Sequence, residues 1–153
     1  MNKFTYAITT SLLNILSIMA CLGIIGWGSS ALAEKSSLDY GGDKGGSTLN
    51  YLNLVELFNH SGETLRIEGV CKSACTMFLG IKNVCVDRNA TLLFHQGQLN
   101  TPATGRMLAQ YNERLKKYLK DNGIMGHQEF HSIPGKDIIE KFGYRECPPK
   151  KRG

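Results

Sequence analysis

A long uncharged segment near the start of the sequence limits what the rest of the chain can fold into. Residues 7–33 contain no Asp, Glu, Lys or Arg, whereas the remainder is ordinary and polar. Lys3 precedes this apolar run, and Ala31-Leu32-Ala33 ends it with the small residues of a cleavage site. We therefore expect a signal peptide over residues 1–33, cleaved after Ala33, and a secreted or periplasmic mature chain large enough for one core.

Two other interpretations of this segment stay open. Residues 7–33 are nearly long and apolar enough to span a bilayer, so they are also suited to an uncleaved membrane anchor. The run Ile18-Met19-Ala20-Cys21 loosely resembles a lipoprotein box, although the chain stays apolar after Cys21. All three interpretations predict a protein that works outside the cytoplasm or at the membrane.

The cysteines agree with export. Removal of residues 1–33 leaves an even number of them, namely Cys71, Cys75, Cys85 and Cys147. In an oxidising compartment such a set favours disulfides, with three possible pairings among which the sequence does not choose. Cys75 is equally compatible with a small, buried, unpaired helix residue.

Charge and composition exclude several classes of protein. The apolar fraction of 42% and charged fraction of 20% rule out a disordered or collagen-like chain. The net charge is +5, and part of the excess lies in the tail Lys150-Lys151-Arg152. Because aromatic residues do not alternate with a basic patch, we expect no nucleic-acid partner. We expect no cofactor and no metal, since the helical pair His127 and His131 lacks a third ligand.

The periodicity of the remaining chain predicts an α/β domain over residues 47–147, between a Gly-rich linker or loop (34–46) and a basic tail (148–153). Apolar spacing predicts helices and strands in alternation. The expected elements are a helix capped by Ser47, a strand at 64–70, a turn at 69–72, a short buried helix at 73–80, strands at 84–86 and 91–94, one long helix from 101 to Gly123, and a last helix near 135–142.

Three features of this pattern suit acyl-transfer chemistry. Ser73 stands at a strand-to-helix turn, where its hydroxyl lies near free backbone N–H groups. Gly45 and Gly46 lack a Cβ, so their backbone can approach a substrate carbonyl closely. His95 follows a predicted strand and is able to accept the serine proton. The plainer alternative for Ser73 is that of a helix N-cap.

The same residues resemble a known family. Gly69-Val70-Cys71-Lys72-Ser73 is similar to the G-x-x-x-S turn of ClpP, the proteolytic subunit of the Clp protease. Asn89-Ala90 followed by His95-Gln96 resembles its histidine segment, and Gly45-Gly46 its glycine pair. Small exported ClpP-like proteins of bacteria are more similar still, since they share G-x-C-x-S-A-C-T, then V-C-V, then F-H. The likeness spans about residues 43–147.

The resemblance implies a ClpP/crotonase-like βαβ spiral, truncated on its N-terminal side because residues 34–44 are not apolar. It implies a serine hydrolase with Ser73 as nucleophile and His95 as general base. The backbone N–H groups of Gly46 and Ala74 would form the oxyanion hole. The third member of a triad is not assigned.

The position of the missing acid is occupied by an amide. Alignment with the family puts Gln128 where an aspartate is expected. Glu129, one position away, and Asp121, seven before, are the weak candidates for that role. A Ser–His pair without an acid keeps part of its activity, because the acid orients and stabilises the base.

The partners follow from the resemblance and from export. We expect a peptide or a small acyl compound as substrate, a homo-oligomer, and no Clp ATPase, since an exported chain meets neither that ATPase nor ATP. The alternative function is a non-catalytic envelope scaffold or binding protein on a ClpP-like fold. The missing acid and the degraded first strand favour this alternative.

Overall fold

A computed structural model of the chain describes residues 37–150. The expected signal peptide or anchor, and the end of the basic tail, lie outside the described residues. Within residues 37–150, none of the helices has the length and apolar character needed to cross a membrane.

The described chain alternates strands and helices, as expected for a mixed α/β fold. A 3₁₀ helix over Ser73–Gly80 and a 3₁₀ turn over Ile124–Gly126 add to the regular elements. The bounds of the regular elements are β1 Ser37–Asp43, α1 Thr48–Ser61, β2 Thr64–Lys72, β3 Val84–Val86, β4 Thr91–Phe94, α2 Ala103–Ala109, α3 Glu113–Asp121, β5 His131–Pro134 and α4 Gly135–Glu140.

Within residues 37–150, five strands form one mixed sheet centred on β2. Strands β1, β3 and β4 run parallel to β2, and β5 runs antiparallel to β4. Strand β3 pairs with the first half of β2, at Leu65–Ile67, and β4 pairs with its last residues, at Val70–Lys72. Lys72 therefore lies opposite Leu93, so the residues that follow β2 and β4 emerge at the same edge of the sheet.

The core lies where the helices cover the sheet. Helix α1 buries one face, with Tyr51, Val55 and Phe58, as its apolar spacing predicts. The 3₁₀ helix Ser73–Gly80 is buried over six consecutive residues, so it runs through the interior and not along the surface. The largest fully buried side chains are Phe78, Phe94, Leu65, Ile67, Met77 and Leu92.

The segment before Gly45 is a strand, which corrects two expectations. Residues 34–46 were expected to be a linker or loop and the fold to be truncated there, but Ser37–Asp43 pairs in parallel with β2 from Ser37↔Thr64 to Asp43↔Cys71. The sheet ladder uses backbone groups, so polar side chains do not prevent pairing at a sheet edge. Strand β1 therefore leads directly into the glycine pair.

The long helix expected from residue 101 to Gly123 is two helices. Helix α2 ends at Ala109 and α3 begins at Glu113, with Asn112 as the N-cap that accepts a hydrogen bond from the Leu115 N–H at 3.0 Å. The expected turn at 69–72 is also wrong, because β2 continues through Lys72. These boundaries place the end of β2 immediately before Ser73.

All four cysteines within residues 37–150 are paired. Cys71 bonds to Cys75 across four positions, and Cys85 bonds to Cys147 across 62. The Cα–Cα separations of 5.4 Å and 4.8 Å lie in the normal range for disulfides. The unpaired alternative for Cys75 is therefore wrong, and the two bonds indicate an oxidising, extracytoplasmic location.

Candidate active site

Ser73 occupies a sharp turn between β2 and the 3₁₀ helix. Its φ is +59°, a left-handed conformation that is uncommon for residues other than glycine. The hydroxyl of Thr76 donates to the Ser73 carbonyl at 2.7 Å and lies 2.6 Å from the hydroxyl of Tyr111. Burial raises the pKa of Tyr111, so its hydroxyl stays protonated at neutral pH. These buried contacts hold the turn in its unusual conformation.

The disulfide Cys71–Cys75 encloses the same turn. Cys71 lies in β2 and Cys75 lies in the 3₁₀ helix, and neither has exposed surface. Ser73 is the middle residue between them. The covalent bond therefore ties the strand to the helix around the candidate nucleophile.

The glycine pair packs against this turn. Gly45 has φ +80°, and a Cβ at that position would lie 2.5 Å from the Lys72 carbonyl oxygen and 2.8 Å from the Ser73 Cβ. Its N–H donates to the Asp43 carboxylate at 2.8 Å, and that carboxylate also accepts from the Tyr51 hydroxyl at 2.6 Å. Only glycine fits here, which explains this half of the motif.

Gly46 is under no such constraint. A Cβ there would lie 3.7 Å from a Tyr51 ring carbon, which is ordinary contact distance. Gly46 lines the cleft that also contains Ser73. Ala74 is the second residue of the 3₁₀ helix, in its first turn, where the first backbone N–H groups have no partner within the helix. Gly46 and Ala74 thus lie on the two sides of the Gly45–Ser73 contact.

His95 meets Ser73 across the edge of the sheet. Its Nε2 lies 2.6 Å from the Ser73 Oγ, which is hydrogen-bond distance. Burial lowers the pKa of His95 below its ordinary value of 6.5, and the positive charge of Lys72 lowers it further. The imidazole is therefore neutral at neutral pH, and a neutral ring with its proton on Nδ1 accepts the serine hydrogen at Nε2.

The other nitrogen of His95 has no acceptor. Nδ1 is buried and makes no hydrogen bond within residues 37–150. The aromatic neighbour of the imidazole is Phe130, with ring centroids 4.3 Å apart, and the Lys72 Nζ lies 4.1 Å from the Phe130 ring centre. In a triad, an acid orients the histidine. Here His95 packs against the Phe130 ring, and the Lys72 cation packs against that ring in turn.

None of the residues considered for the third position bonds to Nδ1. The Gln128 amide donates to the Gly97 carbonyl at 3.3 Å. Asp121 pairs with the Lys117 Nζ at 2.6 Å, and Glu129 is exposed. The described residues thus form a serine–histidine dyad and not a triad.

A cleft of about 850 Å³ opens beside the dyad. Its walls come from the segment that follows β1, the start of α1, the loop after His95, and α2. Ser73, His95 and Gly46 line it together, so a bound molecule has access to all three. This shared cleft is what the order of the motifs in the sequence predicts.

Some parts of the site carry no sequence signal. Lys72 occupies a variable position of the G-x-x-x-S motif, and Phe130 lies far from it in the sequence, so the motif predicts neither the Lys72–Phe130 contact nor the Phe130–His95 contact. Thr76 is within the quoted motif, but its partner Tyr111 lies 35 positions later. Only the contacts between elements identify them.

The residues considered for a metal do not form a site. His127 follows the 3₁₀ turn and His131 begins β5, so they do not share a helix. In the part of the chain that the structure describes, no three His, Cys, Asp or Glu side chains are grouped as a metal site requires.

Comparison of the sequence with protein-family models gives no match, and a search of curated proteins finds no similar sequence. The site is therefore interpreted from its own geometry.

Proposed function

We propose that this chain is an exported, ATP-independent serine hydrolase of the ClpP-like kind, acting on peptides or small acyl compounds. The observation that carries this proposal is the 2.6 Å contact between Ser73 Oγ and His95 Nε2 at the wall of an open cleft. Such a contact is the first requirement for a base-activated serine.

The chemistry follows from the positions of the groups. Nε2 of His95 takes the hydroxyl proton as Ser73 Oγ attacks the substrate carbonyl carbon. The carbonyl oxygen becomes an oxyanion, and the N–H groups of Ala74 and Gly46 are its proposed donors. The imidazolium then gives the proton to the leaving group. In the second half of the reaction, His95 takes a proton from water as the water attacks the acyl carbon, and it then gives that proton to Ser73 Oγ.

The sheet supports the proposed relation to ClpP. Strands β1, β3 and β4 all pair with β2 in parallel. Helix α1 connects β1 to β2, and the 3₁₀ helix connects β2 to β3. The glycine pair, Ser73 and His95 follow the ends of β1, β2 and β4 in that order. A ClpP-like spiral built on this arrangement is part of the proposal.

The dyad also bears on the choice of substrate. Burial, the charge of Lys72 and the unpartnered Nδ1 all disfavour the imidazolium that must form during attack. His95 is therefore a weak base. Esters with good leaving groups need less proton transfer than amides, so we expect activated esters to be hydrolysed faster than matched amides.

The experiment is active-site labelling of the oxidised, folded chain with a fluorophosphonate, located by peptide mass spectrometry. We expect an adduct on Ser73 that is absent from Ser73→Ala and slowed about 10²–10⁴-fold in His95→Ala, because general-base catalysis contributes about that much. Ser132→Ala, an exposed serine in β5, is the matched control and should label normally.

A folded protein that takes no label on Ser73 would contradict the proposal. That result would favour the second candidate, a non-catalytic scaffold or binding protein. The specific observation in favour of this candidate is the buried Nδ1 without an acceptor.

A further inference from the structure

The cleft beside the dyad is lined by cations and by no anions. Lys44 and Arg106 are part of its wall, and no Asp or Glu is among the described residues that line it. Asp43 lies close by, but its carboxylate is held by the Gly45 N–H and the Tyr51 hydroxyl and is not part of the wall. A negative group entering the cleft therefore meets two cations and no carboxylate among the described residues that line it.

The guanidinium of Arg106 has a defined place in the cleft. Its Nη1 lies 3.4 Å from the Thr48 hydroxyl, at the start of α1 and two residues after Gly46. Neither Arg106 nor Lys44 forms an ion pair with any residue between 37 and 150. Arg106 thus keeps donors for a ligand on the Gly46 side of the cleft.

Apolar side chains flank the same cleft. Leu49 is 51% exposed and Leu99 is 59% exposed, and both line the wall with the buried Met107. Exposed leucines on both sides of a concave site are suited to an aliphatic segment. The wall therefore combines exposed apolar side chains with two cations.

We propose that the cleft selects substrates in which a carboxylate follows an apolar segment, and that Arg106, assisted by Lys44, binds this carboxylate. Arginine binds carboxylates through paired, charge-assisted hydrogen bonds, which makes it the stronger partner of the two. The selectivity for turnover rests on the proposed hydrolase function, whereas binding of the carboxylate does not. The carboxylate is that of an acidic side chain or that of a chain terminus.

The test uses two esters that differ only in charge. One is the 4-nitrophenyl monoester of suberic acid, with a free carboxylate at the far end of an apolar chain. The other is the same ester with that carboxylate methylated. We expect kcat/KM to be higher for the charged ester, and the charged-to-neutral ratio to fall about tenfold or more in Arg106→Gln and less in Lys44→Gln. Salt should reduce the ratio in the wild-type protein.

Arg114→Gln is the control that distinguishes an effect of a charge in the cleft from an effect of the protein's net charge. This exposed arginine lies in α3 outside the cleft, and its loss lowers the net charge equally. An equal fall in the ratio in Arg114→Gln, or a wild-type ratio of one, would overturn the proposal. A pair of peptide esters with Glu or Gln, each with a free or amidated C-terminus, then distinguishes a side-chain carboxylate from a terminal one.

Failure of the hydrolase function is measured separately. The Ser73→Ala variant is titrated with suberic acid monomethylamide and with its methyl ester, followed by NMR. Tighter binding of the acid that is lost in the Ser73→Ala, Arg106→Gln double variant supports the carboxylate site, whether or not the esters are hydrolysed. Equal binding of the two compounds contradicts it, even if Ser73 labels normally.

Discussion

The imidazole of His95 contacts the Ser73 hydroxyl, and the charge of Lys72 opposes its protonation. Lys72 lowers the pKa of the imidazole by its charge, in addition to the larger effect of burial. Removal of that charge favours the imidazolium. The same lysine packs over Phe130, so it also helps to hold the ring that contacts His95.

We expect Lys72→Met to raise the pKa of His95 toward its ordinary value of 6.5. The proposed hydrolase reaction needs the neutral imidazole, so the acidic limb of the labelling rate should move to higher pH. Both the limb and the His95 ring protons, followed by NMR, report the shift. Lys82→Met, at an exposed lysine, should leave the pKa unchanged, and an equal shift there would contradict the assignment to Lys72.

Gly45 is expected to tolerate no side chain. A Cβ there would overlap the Lys72 carbonyl, and the positive φ alone costs a non-glycine residue about 1–3 kcal/mol. Gly45→Ala should lower the free energy of unfolding in urea by at least that amount and slow labelling of Ser73. Gly105→Ala is the matched control, because nothing lies within 4 Å of its Cβ and alanine favours a helix. A neutral Gly45→Ala would mean that the Ser73 turn is easily displaced.

Single residues were predictable from the sequence where they belong to a motif. Ser73, His95 and the glycine pair occupy one cleft, as their order in the chain predicts. The roles of Lys72 and Phe130 were not predictable, because they depend on a contact between the end of β2 and the residue before β5 that no spacing along the chain encodes. The sequence indicated at Gln128 that the acid is missing. It did not indicate that His95 contacts Phe130.

At the scale of elements, Asn112 separates α2 from α3, although the apolar spacing in the sequence continues across both helices. Its Oδ1 accepts from the Leu115 N–H, its Nδ2 donates to the Phe142 carbonyl at 2.8 Å, and its N–H donates to the Tyr144 hydroxyl at 2.9 Å. These bonds end one helix and start the next. They also connect α3 to the segment after α4.

Asn112→Ala should destabilise the fold by about 0.5–2 kcal/mol from the lost cap, with a further loss from the bond to Phe142. Urea unfolding measures the change. Asn53→Ala, at an exposed position within α1, is the control and should be neutral or slightly stabilising, because alanine is the better helix former. Equal losses in the two variants would show that Asn112 contributes only its helix propensity.

The helix break and β1 show why elements were harder to predict than residues. Leu115 and Leu119 are buried in α3 and Met107 in α2, so apolar spacing continues across a break that a side-chain cap enforces. Strand β1 offers only Leu38 and Tyr40 as apolar residues, and its parallel pairing with β2 is made by backbone groups. Helix α1 was predictable because its periodicity reflects burial. Strand β2 was predictable from its alternating sequence, although Arg66 is buried between Leu65 and Ile67.

For the whole molecule, the two disulfides should contribute unequally to stability. Loop-closure entropy predicts ~2 kcal/mol for the short Cys71–Cys75 loop and ~4 kcal/mol for the loop that joins Cys85 to Cys147. Cys85→Ala with Cys147→Ala should therefore lower the unfolding free energy more than Cys71→Ala with Cys75→Ala. A larger loss from the short loop would mean that the packing of the Ser73 turn, and not chain entropy, dominates its effect.

The homo-oligomer stays a prediction at this scale. Sedimentation equilibrium of the mature chain measures it directly, and a stable monomer would contradict it.

The spacing of the disulfides has a consequence for the order of biosynthesis. Cys71 and Cys75 emerge almost together, whereas Cys85 must wait for Cys147, 62 residues later. At ~5–20 residues per second, that interval lasts about 3–12 s. A nascent chain that closes its short loop at once leaves Cys85 with a single correct partner still to come. In a chain exported during its synthesis, early oxidation of Cys71 and Cys75 would protect against scrambling and would close the turn that holds Ser73 before the strands around it are complete.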